Sequence, residues 1–257
     1  MQEQNSNLMY KYSNSLTPPY IAIENRTFLI VFNKIDGSVD GWSVPFSVLE
    51  NEIKRGYYTR ELMPEEIKIY NNFIPLCTYL NCGDLSKYKE IVQTGSIQYL
   101  PLKNTNGATF SVVDFRPFVD SSAFSKVIPD LYSQSKNEDD FIHEVWNIVT
   151  QLDVYAYDYP NDNGTLNAQA KYPLETFLAG GGICRDTAVL FASMIKAAPT
   201  NWDVEFLYMD TDHPEVPVTP NHLMVEIKTD NETYFIDTTQ HQEMQPYENI
   251  SGWNYKI

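Results

Sequence analysis

Residues 175–198 read ETFLAGGGICRDTAVLFASMIKAA, and this stretch constrains the fold more than any other. Three glycines, Gly180 to Gly182, run straight into Ile183-Cys184, and a dense apolar segment of helical length follows. A helix with so few polar positions is a core helix, covered by other layers on most of its sides. The glycines permit a tight backbone approach and unusual φ values. Cys184 falls at or near the N-terminus of the helix, where free amides and the macrodipole stabilise a thiolate. Asp186, two residues on, is placed to bond to first-turn amides or to the preceding loop. A buried cysteine opening a core helix fits the same pattern, so the downstream residues have to decide.

Residues 203–209 (DVEFLYM) alternate like a strand, as do 222–228 (HLMVEIK) and 233–237 (TYFID). In the second of these, Leu223, Val225 and Ile227 share one face and His222, Met224 and Glu226 the other. The joining turn, Thr229-Asp230-Asn231-Glu232, pairs residues whose numbers sum to 461, whether the loop has two residues or four. Phe235 then opposes Glu226 and Met224 opposes Asp237. His222 and Asp237 come out as diagonal neighbours on one face, a relation that a one-residue slip would destroy. A thiol, an imidazole and a carboxylate that orients it form a nucleophilic triad: His222 takes or shares the Cys184 proton, and Asp237 fixes the tautomer and stabilises the imidazolium.

Taken together, GGGICRDTAVLFASMIKA, NHLMVEIK and YFIDTT resemble the transglutaminase-like superfamily, with its papain-like Cys–His–Asp core. The chain order, the gaps between the three residues, the helices over 121–157 and the Glu-Thr at 175–176 are also similar to that family. The resemblance spans roughly residues 120–240. More weakly, DGWSVPFSVLENEI resembles segments that precede this domain in archaeal, often membrane-anchored members. It implies that Cys184 is the nucleophile, His222 the general base and acid, and Asp237 the orienting carboxylate. Four positions depart from the family. Met224 and Tyr234 stand where relatives often carry Trp, Thr238 where Pro often follows the aspartate, and Pro199 where a glycine is common. An oxyanion hole needs donors aimed at the developing charge. The Cys184 N–H is one candidate; Gln169, Asn167 and Tyr157 are alternatives for the second. His213, in a Pro-rich loop, competes less well than His222 for the imidazole role. A zinc site from Cys184, His213, His222 and His241 would lack the usual ligand spacing, and no metal or cofactor is expected.

The rest of the chain reads as an α+β protein. Residues 1–18 form a flexible tail, 19–118 a smaller α+β region and 119–257 the transglutaminase-like domain. In the latter the nucleophile heads a buried helix packed on an antiparallel sheet. Strands are expected over 27–33 and near Trp42, with a turn at Asp36-Gly37 between them, and a hairpin over 96–114. Helices are expected over 46–55, 64–76 and 138–152. The last of these carries Phe141, Ile142, Val145, Ile148, Val149 and Leu152 on one stripe, with acids in its first turn. The stretch 158–171 reads as a solvated polar loop without calcium-loop spacing. Cys77 and Cys82 could bridge in an oxidising compartment, or remain two reduced thiols.

Composition sets the remaining bounds. With 34 acidic and 18 basic residues the net charge is −16, which opposes binding to nucleic acid or an anionic membrane surface. No apolar run is long enough to span a bilayer. The polar start lacks a signal-peptide core, which fits an intracellular chain, or an extracellular or membrane-anchored one whose targeting segment was removed. Sequons at Asn25, Asn163, Asn231 and Asn249 are about what chance supplies in so Asn-rich a chain. The expected function is cysteine-nucleophile acyl transfer on peptide or protein amides, most simply hydrolysis. Protein crosslinking and a non-catalytic binding module on the same fold are the alternatives.

Overall fold

The computed structural model describes residues 18–24, 27–34, 36–45, 98–104, 106–152, 154–155, 170–171, 173, 176–177, 181–213, 216–240 and 251–257. The expected tail, the helices over 46–55 and 64–76, and Cys77 and Cys82 lie outside them.

Strands β1 (Tyr20–Glu24), β2 (Thr27–Asn33) and β3 (Val39–Pro45) form an antiparallel meander in the order β1-β2-β3. The third is longer than the short strand expected around Trp42. Ile30 pairs with Trp42, and both are buried with Phe32 and Val44 on the inner face. A second hairpin joins β4 (Tyr99–Lys103) to β5 (Thr109–Val113). The β2–β3 and β4–β5 turns are built alike. In one, Gly37 N–H donates to Lys34 O and Lys34 N–H to Ser38 O; in the other, Gly107 N–H donates to Asn104 O and Asn104 N–H to Ala108 O. Each turn needs one residue in the left-handed region, and Gly37 (φ 79°) and Gly107 (φ 81°) supply it.

Two short 3-10 turns (Arg116–Phe118 and Ser121–Phe124) lead into α1 (Ile128–Gln134) and α2 (Glu138–Leu152). Glu138, Asp139 and Asp140 occupy the positive end of α2, and Phe141, Ile142, Val145, Ile148 and Val149 are buried, as the periodicity requires. Trp146, outside the predicted stripe, is buried as well. A two-residue parallel pair, β6 (Val154–Tyr155) with β7 (Gly181–Gly182), follows α2. Helix α3 (Cys184–Lys196) is buried at every position from Cys184 to Ile195. It lies on a four-stranded antiparallel sheet ordered β10-β9-β8-β11, made of β8 (Asp203–Met209), β9 (His222–Lys228), β10 (Thr233–Ile236) and β11 (Trp253–Lys256). Val204, Phe206 and Tyr208 of β8, Leu223, Val225 and Ile227 of β9, and Ile236 of β10 fill its inner face. The β9–β10 register is the one read from the turn: Thr233 opposes Lys228 and Phe235 opposes Glu226, so paired numbers sum to 461.

One buried apolar cluster runs from Ile30 and Trp42 through α2 and α3 to Ile236. The N-terminal sheet is also fastened to α2 by polar groups. Gln151 donates to Asn33 O (2.8 Å) and accepts from Asn33 N–H (2.9 Å), while Lys34 Nζ contacts Asp140 and the buried Glu144. The molecule is thus a mixed helix-and-sheet protein with α3 sandwiched at its centre. Ala170 and Lys171, which end the stretch expected to be a solvated loop, are instead buried, because Asp186 takes the Lys171 N–H into the core. Among the described residues, no helix is long and apolar enough to cross a membrane.

Candidate active site

Cys184 is the first residue of α3 and is only 2% exposed, with its thiol free. Its approach is built by the glycines and Asp186. Gly181 and Gly182 pair in a two-residue parallel bridge with Val154 and Tyr155, directly after α2. A Cβ on Gly182 would lie 2.5 Å from the Cβ of Asp186, so no other residue fits there without displacing the helix start. Of the two roles left open by the sequence, the Asp186 carboxylate takes the second and bonds back to residues that precede the helix. Oδ2 accepts the Ile183 N–H (3.0 Å) and Oδ1 the Lys171 N–H (2.9 Å), tying the residue before the cysteine to a second segment. This is half of a capping box, since the Ile183 side chain has no acceptor to return.

His222 opens β9, and Asp237 follows the last residue of β10 rather than ending the strand. Their side chains meet as the register predicts: His222 Nε2 is 3.1 Å from Asp237 Oδ2. Nε2 is buried and its N–H is not aligned for a hydrogen bond, so the attraction is one of charge at short range. His222 is also in side-chain contact with Cys184. With Nε2 turned to the carboxylate, Nδ1 is the ring nitrogen left for the thiol. Burial works against a charge on His222, but Asp237 and then Cys184 outweigh it and push its pKa up to about 10. Burial likewise works against ionised Asp237; His222 and Thr239 outweigh it and bring that carboxyl down to about 2. Near neutral pH the pair therefore holds an imidazolium beside a carboxylate.

Several side chains that place Asp237 were not foreseen. Its Oδ1 accepts from Thr239 N–H (2.9 Å) and Thr239 Oγ1 (2.7 Å), and its Oδ2 from Gln240 Nε2 (3.3 Å). From α2, Trp146 Nε1 donates to the Asp237 carbonyl at 2.9 Å. Thr238 Oγ1 meets Thr187 Oγ1, one helical turn past Cys184, at 2.8 Å. The available signal was polarity: Thr187 is a hydroxyl in the first turns of a buried helix, and YFIDTTQ crowds donors next to one carboxylate.

Cys184, His222 and Asp237 are thus brought together, with Gly181, Gly182 and Asp186 supporting the cysteine. The oxyanion candidates Gln169, Asn167 and Tyr157 lie outside the described residues, as does His241. His213 is held elsewhere: its side chain is 60% exposed and its Nδ1 lies 3.2 Å from Asp210 Oδ2. Asp210 is the hub of that loop, accepting from Asp212, His213, Val218 and Thr219 N–H, and these bonds bring its pKa to about 2 against the effect of burial. Among the described residues, no group of three or more His, Cys, Asp and Glu side chains is arranged to hold a metal. Met224 is buried in a small cluster with Leu207 and Met209, against Phe235.

An imidazole set between a thiol at a helix N-terminus and an ionised carboxylate can take up, hold and return a proton. Compared with known proteins, the chain matches no family model, no curated protein and no solved structure.

Proposed function

We propose that the protein is a cysteine-nucleophile acyl-transfer enzyme with a papain-like, transglutaminase-like core, acting on peptide or protein amides chiefly as a hydrolase. The observation that carries this reading is His222, buried between Cys184 and Asp237 with its pKa pushed up to about 10. The Cys184 proton rests on His222, and the thiolate attacks the amide carbonyl. The carbonyl π electrons move to oxygen, where the Cys184 N–H is one donor. As the tetrahedral intermediate collapses, the C–N bond breaks and His222 gives its proton to the departing amine, leaving a thioester. Water then attacks the thioester and passes a proton to His222. The C–S bond breaks, releasing a carboxylic acid and restoring the thiolate–imidazolium pair. A lysine amine in place of water would make an isopeptide bond instead. The acidic composition favours basic or neutral substrates.

A binding module is the second reading, and the 2% exposure of Cys184 favours it, since a packing residue need not be reached. Alkylation by iodoacetamide against pH, read by intact mass and peptide mapping, separates the two. Rapid modification of Cys184 that persists below pH 7 and is lost in His222→Ala supports the enzyme. A slow reaction indifferent to His222 supports the binding module. Turnover of a peptide mixture that survives Cys184→Ala would remove the nucleophile assignment.

A further inference from the structure

The β9–β10 ladder does not hold His222 against Asp237. Its last pair is Ile236 with Val225, so Asp237 and residues 222–224 lie beyond the paired region. On its other side, His222 is held by β8, opposite Met209. Asp237 leaves the sheet, and its position relative to α3 has to come from other bonds.

Among the described residues, two bonds tie the chain there to the helices: Trp146 Nε1 on the Asp237 carbonyl, and the Thr187–Thr238 hydroxyl contact. Both threonines are buried, at 3% and 2% exposure. Either hydroxyl can donate in the 2.8 Å contact between them. Thr187 Oγ1 also lies 3.3 Å from the carbonyls of Ile183 and Cys184. With the Thr187 proton given to the helix backbone and Thr238 O–H donated to Thr187 Oγ1, every one of these contacts is used. The chain of bonds runs from the residue after the carboxylate to the main chain of the nucleophile itself.

We infer that Thr187 and Thr238 are positioning residues, a buried hydroxyl strut that sets the spacing between Cys184 and the His222–Asp237 pair. The inference rests on reading this site as catalytic. A proline at position 238, common in the relatives this chain resembles, would have no hydroxyl to offer. Valine at 238 keeps the shape and loses the bond, so the carboxylate end drifts from α3 and His222 holds the Cys184 proton less well.

The test uses the full chain and iodoacetamide as probe, with Cys184 alkylation rates measured from pH 5 to 9 for wild type, Thr238→Val, Thr238→Ser, Thr187→Val and His222→Ala. Thr238→Val is expected to react about fivefold more slowly at pH 6, the worth of one typical hydrogen bond, and like wild type at pH 9. Thr238→Ser should recover the wild-type profile. The Thr187→Val/Thr238→Val pair should be no slower than either single variant, because both remove one bond. If Thr238→Val does not fold by circular dichroism, Thr187→Val removes the same bond from the helix side. A wild-type profile in the folded variant, with His222→Ala still slowed, overturns the strut and leaves the site reading intact. A wild-type profile in His222→Ala overturns the site reading and the strut with it.

Discussion

The His222–Asp237 pair ties protonation to stability at the level of single residues. His222 has its pKa raised to about 10 in the folded state, so its contribution is complete below the unfolded value near 6.5 and is lost as pH rises through about 10. Asp237 is lowered to about 2, so its contribution is complete above the unfolded value near 3.9 and is lost as pH falls through about 2. The two shifts describe one interaction. Denaturant unfolding across pH should therefore show a loss of stability between about pH 7 and 10 that is much reduced in Asp237→Asn. Equal slopes in the two proteins would mean that the pair contributes nothing to it. Gly182 is the second residue with a sharp expectation. Its missing Cβ leaves room for the Asp186 Cβ, so Gly182→Ala is expected to cost about 1–3 kcal/mol, as overpacking does, read as a lowered denaturant midpoint. The identities of the three site residues, and the parity that aligns two of them, were legible along the chain. The roles of Thr239, Gln240 and Trp146 were not, because hydrogen bonding to a carboxylate or a carbonyl depends on distance and leaves no periodicity in the sequence.

Among the elements, α3 and the β9–β10 hairpin were readable because each has a strong local signal. A segment as rich in apolar residues as 188–195 reads as a buried element, and here helical length decides which kind. The hairpin register followed from turn length and alternation alone. By contrast β11, four residues near the chain end, owes its place to pairing with β8, from Trp253 opposite Tyr208 to Lys256 opposite Glu205. Trp146 shows how an element acts at a distance in sequence, since it carries the α2 register onto the Asp237 carbonyl. Trp146→Phe keeps most of the packing and removes the indole N–H from the buried Asp237 carbonyl. The expected cost is about 1–3 kcal/mol, with slower Cys184 alkylation, measured by thermal unfolding and mass spectrometry on one preparation. Unchanged stability and alkylation would remove α2 from the account of the site.

At the scale of the molecule, the N-terminal sheet and the helical half share one apolar cluster and one polar clasp. Burial opposes the charge on Lys34, but Glu144 and Asp140 raise its pKa well above the ordinary lysine value, so it stays charged at any working pH. Glu144 is 3% exposed and also accepts from Ser135 Oγ at 2.7 Å. Lys34→Met leaves that carboxylate buried without its cation, a loss on the order of 3 kcal/mol. The double variant Lys34→Met/Glu144→Met should recover much of it, because two apolar groups of similar volume replace the pair. Chemical denaturation of the three variants checks this, and an additive double variant would show that the clasp is only a surface contact.

The sequence by itself determined the buried helix headed by Cys184, the alternating strands, the hairpin register whose parity puts His222 and Asp237 on one face, and the turns at Gly37 and Gly107. These follow from local rules: side-chain period, turn length, and the absence of a Cβ where φ is positive. Tertiary structure alone decided that Asp186 ties Lys171 to Ile183, that Trp146 and Thr187 grip the chain at Asp237 and Thr238, and that Lys34 reaches Glu144. In each case the partners lie 15 to 110 positions apart, apart from the short Asp186–Ile183 link. Bonds over such separations form only when apolar burial has already folded the chain back on itself, and no period in the sequence records which polar groups then meet.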